Sequence, residues 1–289
     1  MSLSVLVLLA IKASILAIVF ALGLTARPGD LTYLLKRPGE LARSLLSMSL
    51  VMPVVAIALV RVFDLPRPAA IMLIALSLAP VPPILPRKQA KAHGDAAYSI
   101  SLLVAAALIS LIWIPLALEI DQRLFGLALG ISPAAVAKLV GVTILIPLLA
   151  GMLARHFLPG LAARFAPIIS SLGGLLLLAA AAAILASQWR PIIGLMHDGT
   201  VLAMGLFVVL GLLIGHLVGG PAPDHRTVLA MATASRHPGV ALAIAHINFP
   251  GEKSLAAAVL LFLVVNAVLS IPYVAWRKRA GAAGDLAVS

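Results

Sequence analysis

Apolar residues run along this chain in long unbroken blocks, separated by short stretches that carry charge, proline or glycine. A block of about 20 apolar residues matches a helix crossing the hydrocarbon core of a bilayer. A transmembrane barrel would instead show alternating segments of about ten residues. The interruptions divide the sequence into nine predicted spans, at 3–25, 41–62, 69–90, 95–118, 134–154, 166–187, 199–219, 226–247 and 255–276. The predicted fold class is therefore an all-α polytopic membrane protein with nine transmembrane helices. The connections are short, so residues 1–289 read as one transmembrane domain without a separate soluble unit. The stretch Leu3 to Ala26 is long enough to span and lacks a small-residue cleavage site after a short core, so it reads as a span and not as a cleavable signal.

Composition removes several classes of function. Of the 289 residues, 62% are hydrophobic and 11% are charged, against roughly 25% charged in a soluble domain. An ordinary soluble enzyme is excluded, and the absence of cysteine excludes a disulfide framework. The net charge is +11. In a soluble chain this would suggest nucleic acid. Here the bases sit in short loops, where they orient helices, and no nucleic-acid partner is expected.

With the N-terminus outside, the inner segments hold Arg27, Lys36, Arg37, Arg43, Arg87, Lys88, Lys91, Arg155, Arg164, Arg226, Arg277, Lys278 and Arg279. The outer segments hold Arg61, Arg67, Arg123, Arg190 and Lys253. Positive loops stay cytoplasmic, which predicts a multi-pass protein of the cell (inner) membrane, with its N-terminus outside and its C-terminus in the cytoplasm. Lys12 lies within the first span, and its long stem is expected to snorkel to the outer surface.

Two spans cannot be continuous helices. The third contains Pro80-Val81-Pro82-Pro83-Ile84-Leu85-Pro86, and each proline removes a donor and clashes one turn back. The eighth contains Ser235-Arg236-His237-Pro238-Gly239, two ionisable groups beside a helix breaker. Irregular backbone at membrane depth is tolerated only inside protein or along a watery cavity. Each interrupted span is followed by one full span before its half of the sequence ends. Paired discontinuous helices in corresponding positions are the sequence sign of an inverted-repeat transporter. The repeats are expected at about 1–120 and 133–280. The two breaks are expected to cross near the midplane.

These residues resemble the bile acid:sodium symporter family over nearly the whole chain. The likeness lies in Phe20-Ala21-Leu22-Gly23-Leu24-Thr25 followed by Lys36-Arg37-Pro38, in Met52-Pro53, and in Pro80 at the first break. It continues in Ala232 to Gly239 with Ala241-Leu242-Ala243 at the second break, and in Asn266 and Trp276 of the last span. The resemblance implies a panel bundle and a core bundle, with the two broken helices crossing in the core. It also implies sodium-coupled uptake of organic anions such as bile salts, sulfated steroids and small carboxylates. Nine spans would match members that lack the first helix of the first repeat.

The sequence departs from the family at the positions that hold sodium. Leu85 and Pro86 stand where the family has Ser and Asn ligands, and Met48 stands where it has Gln. Ala232 replaces its acidic ligand and Arg236 replaces a second Gln. Hard cations want several oxygen ligands, usually with a carboxylate. Sodium coupling by the family mechanism is therefore not expected.

Arg236 is the sharpest candidate. A charge at bilayer depth costs about 2.5–3.5 kcal/mol even on the lenient insertion scale, and no acidic residue lies well inside a span. A substrate anion bound by its planar fork would supply the missing partner. Backbone carbonyls freed by the break would do so as well. His237, where the family has Asn, and Asn266 on the last span join it as substrate-binding candidates. Pro86, Arg87 and Lys88, at the end of the first break, complete the set, the two bases belonging alternatively to the positive inner loop. No HExxH, GxSxG or Walker loop is present, so no enzyme, metal site or cofactor is expected. The leading reading is a secondary transporter of small organic anions that works by uniport, exchange or proton coupling. The alternatives are a sodium symporter with other ligands and a non-transporting membrane sensor.

Overall fold

The computed structural model describes residues 3–125, 130–197 and 199–288, and every regular element among them is helical. The α-helices of the first half are α1 (Leu3–Thr25), α2 (Pro28–Leu31), α3 (Pro38–Leu45), α4 (Met52–Phe63), α5 (Arg67–Leu78), α6 (Leu85–Ala90) and α7 (Ala96–Phe125). The second half holds α8 (Pro133–Val140), α9 (Ile146–Phe157), α10 (Pro159–Gly194), α11 (Thr200–Val218), α12 (Pro223–Ala234), α13 (Pro238–Asn248) and α14 (Leu255–Val288). Six of these begin on proline. At a first helical position the missing N–H is not needed and the fixed φ suits the helix, so the same residue that ends one segment opens the next.

Seven helices among the described residues are long and apolar enough to cross a membrane: Pro38–Phe63, Ala96–Ile120, Pro133–Phe157, Pro159–Gly194, Thr200–Val218, Pro223–Asn248 and Leu255–Gly281. Leu9–Thr25 and Arg67–Leu78 are shorter apolar helices. The protein is a multi-pass membrane protein. The third predicted span is split into α5 and α6 by residues 79–84, and the eighth into α12 and α13 by residues 235–237.

Two helices share an anatomy that the apolar pattern does not reveal. Leu46–Val51 joins α3 to α4 as a π-helical turn, and Gly141–Leu145 joins α8 to α9 in the same way. Pro53 and Pro147 follow these turns at the second position of the next helix. The Met52 N–H reaches back five residues to the Ser47 carbonyl, and the Ile146 N–H to the Gly141 carbonyl. Widening the helix before a proline accommodates a ring that would clash with the preceding turn.

Helix α1 packs against α9 and α10. Glycines set the spacing: a Cβ on Gly23 would stand 2.9 Å from the Gly151 Cα, and one on Gly151 would stand 2.9 Å from the Gly23 Cα. Lipid offers helices no hydrophobic reason to associate, so close approach of small residues does that work. A larger core gathers buried side chains of α4, α5, α7 and α11 to α14, among them Met52, Met72, Leu103, Phe207 and Phe262. Helix α12 is the most enclosed, with every residue from Thr227 to Ala234 buried. Gly215 of α11 lies so close that a Cβ there would meet the Leu229 carbonyl at 2.5 Å.

Candidate functional site

The two breaks touch. The His237 N–H donates to the Pro80 carbonyl at 2.8 Å, which joins the centre of one interrupted span to the centre of the other. The chemistry around that contact follows from the prolines. In a helix each carbonyl accepts from the N–H four residues on. The Ala79 carbonyl therefore awaits residue 83 and the Ala234 carbonyl awaits residue 238, and both of these are proline. The Met48 carbonyl awaits Met52, whose N–H has gone to Ser47, or Pro53 in a π turn, which has none. Buried acceptors of this kind must find other donors.

Two side chains meet the need, and a third caps the helix that follows. Arg236 is 2% exposed and donates from Nη2 to the Met48 carbonyl at 2.9 Å and from Nη1 to the Ala79 carbonyl at 3.4 Å. Asn266 of α14 donates from Nδ2 to the Ala234 carbonyl at 3.0 Å, and its Oδ1 accepts from the Ser235 hydroxyl at 3.4 Å. His237 caps α13, its Nδ1 accepting from the Val240 N–H at 3.4 Å. Among the carbonyls left free near the breaks, those of Met48 and Ala79 hold the guanidinium. The positive charge also sits at the C-terminal end of α5, where the helix dipole is negative.

Two N–H groups remain. Arg236 Nε and His237 Nε2 are buried and have no hydrogen-bond partner among the described residues. Because His237 Nδ1 accepts from a backbone amide, the neutral ring is assigned its proton on Nε2. The crossing thus ends with two unspent donors.

The remaining candidates are placed elsewhere. Pro86 is buried at the second position of α6, where a proline is tolerated. Arg87 donates to the Ser170 carbonyl of α10 and lies against Gly174, whose missing side chain leaves room for the guanidinium. Lys88 is exposed. A cavity of about 480 Å³ opens between α4, α5, α7 and α13, with Arg61 and Arg67 at one end and Leu78 and Ala245 in its wall. None of the six candidate residues lines it.

Residues 13–195 match the model of the sodium bile acid symporter family. The chain belongs to that family. An uncharacterized sodium-dependent transporter, YocS of Bacillus subtilis (strain 168), is 21% identical over 248 residues, covering 84% of this chain and 75% of the relative. The match to the symporter model includes the first break and stops short of the second, so Arg236 lies outside it.

The sequence pointed to neither Gln89 nor the acidic group at the starts of α7 and α12. Gln89 is 1% exposed and donates to the Val228 carbonyl at 2.8 Å, fastening α6 to α12. Ligand atoms of Asp95, Asp224 and His225 lie within 4.8 Å of one another. Asp224 and His225 come to Asp95 only through folding. Asp95 caps α7 by accepting from the Tyr98 N–H at 2.6 Å, and Asp224 stands in the first turn of α12. Acids at helix N-termini complement the dipole, as both do here.

Proposed function

We propose that this protein is a secondary transporter of small organic anions in which the Arg236 guanidinium takes the place of a coupling sodium ion. The observation that carries this reading is the pair of hydrogen bonds from Arg236 to the Met48 and Ala79 carbonyls. Carbonyl oxygens at the negative end of a half-helix are the ligands a transporter offers its coupling cation. Here a cation tethered to the chain already occupies one of them, Ala79 at the end of α5, together with the Met48 carbonyl of the π turn. A sodium ion within about 6 Å of it would meet a repulsion of roughly 3 kcal/mol at an effective dielectric near 20. A fixed charge cannot be released, so a sodium gradient has nothing to drive at this place. Uniport, exchange or proton coupling follows.

In this reading the nine spans form two inverted repeats, with the N-terminus outside and the C-terminus in the cytoplasm. The paired π turns ahead of Pro53 and Pro147 and the contact of the two breaks support the repeat. The unspent donors of Arg236 and His237 are the groups that meet the substrate carboxylate when the crossing opens. Asn266 holds the backbone beneath them. Pro86, Arg87 and Lys88 lie along the inner approach.

The name of the Bacillus relative favours a second reading, sodium symport through ligands other than the family's. Uptake of labelled organic anions into proteoliposomes, with sodium replaced by choline at fixed membrane potential, separates the two. Saturable flux that survives the replacement is expected. A loss of about tenfold or more, equal to 1.4 kcal/mol, overturns sodium independence. No saturable flux with any anion overturns transport itself and leaves a membrane sensor.

A further inference from the structure

Three guanidinium groups gather where α11 turns into α12, and none has a carboxylate within 4.0 Å among the described residues. Arg226 donates from Nε to the Gly220 carbonyl at 2.6 Å. Arg43 lies against the same glycine, its Nη2 3.2 Å from the place of a Cβ there. Arg277 of α14 donates from Nε to the Thr227 hydroxyl at 2.7 Å and from Nη2 to the Pro223 carbonyl at 2.9 Å.

Bases that merely orient a helix need no burial, and Lys278 and Arg279 are exposed. Arg277 is only 7% exposed. Burying a guanidinium without a counter-ion is costly, and Pro223 and Thr227 supply dipoles, not charge. The acid of the same turn, Asp224, groups with Asp95 and His225 instead.

Beside this charge stands an aromatic cluster of the kind that marks a membrane interface. His216 and Tyr273 share a hydrogen bond of 2.9 Å. Trp276 packs against both rings, at 5.2 and 5.7 Å between centroids. Trp276 is half exposed, and Arg277 lies 5.2 Å from its ring centre. Away from the cluster, α11 and α14 expose apolar side chains: Leu213, Leu217, Val268 and Ile271 are each more than half exposed. Fixed cations, then an aromatic rim, then bare apolar helix is the layout of a phospholipid from headgroup to acyl chain. Basic pockets between helices on the cytoplasmic side suit anionic headgroups, and guanidinium groups suit phosphate oxygens.

We infer that the seam of α11, α12 and α14 binds the phosphate of an anionic phospholipid through Arg43, Arg226 and Arg277, with its acyl chains along the exposed apolar faces. This leaflet assignment rests on the proposed orientation with the C-terminus in the cytoplasm. Because Arg277 ties α14 to the first turns of α12, the bound lipid steadies the inner half of the second interrupted span.

The test is thermal unfolding of the purified protein in a zwitterionic detergent, titrated with phosphatidylglycerol, phosphatidylcholine or inorganic phosphate. A ligand that binds only the native state raises its apparent stability. A saturable rise with phosphatidylglycerol alone is expected. The double variant Arg43→Gln, Arg226→Gln removes no buried charge, so it should fold and need about ten times more lipid or beyond, the loss of charge-assisted contacts. Arg277→Lys should fold with an intermediate response. An equal rise with phosphatidylcholine, the full rise with inorganic phosphate alone, or an unchanged lipid response in the folded double variant overturns the inference. The assay needs no transport and no orientation, so its failure is separate from a failure of the transport reading.

Discussion

The backbone N–H of His237 donates to the Pro80 carbonyl across the centre of the protein at 2.8 Å. Around this bond each interrupted span completes the other. Prolines strip donors from the first break, and the second break supplies them from Arg236 and from the His237 amide. Its own proline, Pro238, frees the Ala234 carbonyl that Asn266 then takes.

Truncating Arg236 should destabilise the fold. Arg236→Ala leaves the Met48 and Ala79 carbonyls buried without a donor, and each unmet group costs about 1–3 kcal/mol. Arg236→Gln, which keeps a donor, should be milder. Arg236→Glu should be worst, because it sets a carboxylate against two carbonyl oxygens. Thermal unfolding in detergent gives the order, and an Arg236→Ala protein as stable as the parent would contradict it.

Asn266 is predicted to act through its amide hydrogens. Asn266→Asp keeps the shape but turns the donor facing Ala234 into an acceptor. Asn266→Leu removes the donor without adding charge, and it should lose about 1–3 kcal/mol. The aspartate variant should lose more. Hydrogen exchange of the α12–α13 junction is the direct readout, since loosening there should precede loosening of α11.

These contacts mark how far the sequence could be read. Of the nine apolar blocks, seven coincide with helices long and apolar enough to cross a membrane and two with shorter apolar helices, because membrane length and apolar content are local properties. Breaks expected near Pro80–Pro86 and Ser235–Gly239 lie at 79–84 and 235–237. The differences have one cause: Pro86, Pro238 and Gly239 do not interrupt but start or extend new helices, where no N–H is required. The π turns left no mark on hydropathy. The Arg236 bond to Met48 joins residues 188 apart, so only the fold could show which carbonyl the guanidinium reaches. Arg87 likewise gave no sign that it would turn to Ser170 of α10.

Gly23 and Gly151 should resist enlargement. Gly151→Val drives side-chain carbons into the backbone of α1, where even a Cβ would stand 2.2 Å from the Phe20 carbonyl. The expected result is a sharp fall in folded yield, read by size-exclusion chromatography. Gly160→Ala has nothing within 4 Å of its new carbon and should leave the yield unchanged.

Arg87 and Gly174 should behave as one unit. A Cβ at position 174 would stand 2.6 Å from Arg87 Nη1, so Gly174→Leu should expel the guanidinium and break its bond to Ser170. Arg87→Gln breaks the same bond from the other side. Anion uptake by the double variant should then match the more affected single variant. Residues that act independently would instead add their effects, and additive losses would show that the contact has no role in the cycle.

The interdependence of the two breaks sets an order on biosynthesis. Ala79 leaves the ribosome 157 residues before the arginine that satisfies its carbonyl. In that interval the first interrupted span has bare acceptors and no place in lipid, where each unsatisfied group costs several kcal/mol. It must wait beside the insertion machinery, or at the wet interface, until the later helices arrive. The N-terminal half expressed alone should therefore stay bound to that machinery or be degraded, and co-expression of the C-terminal half should release it into the membrane.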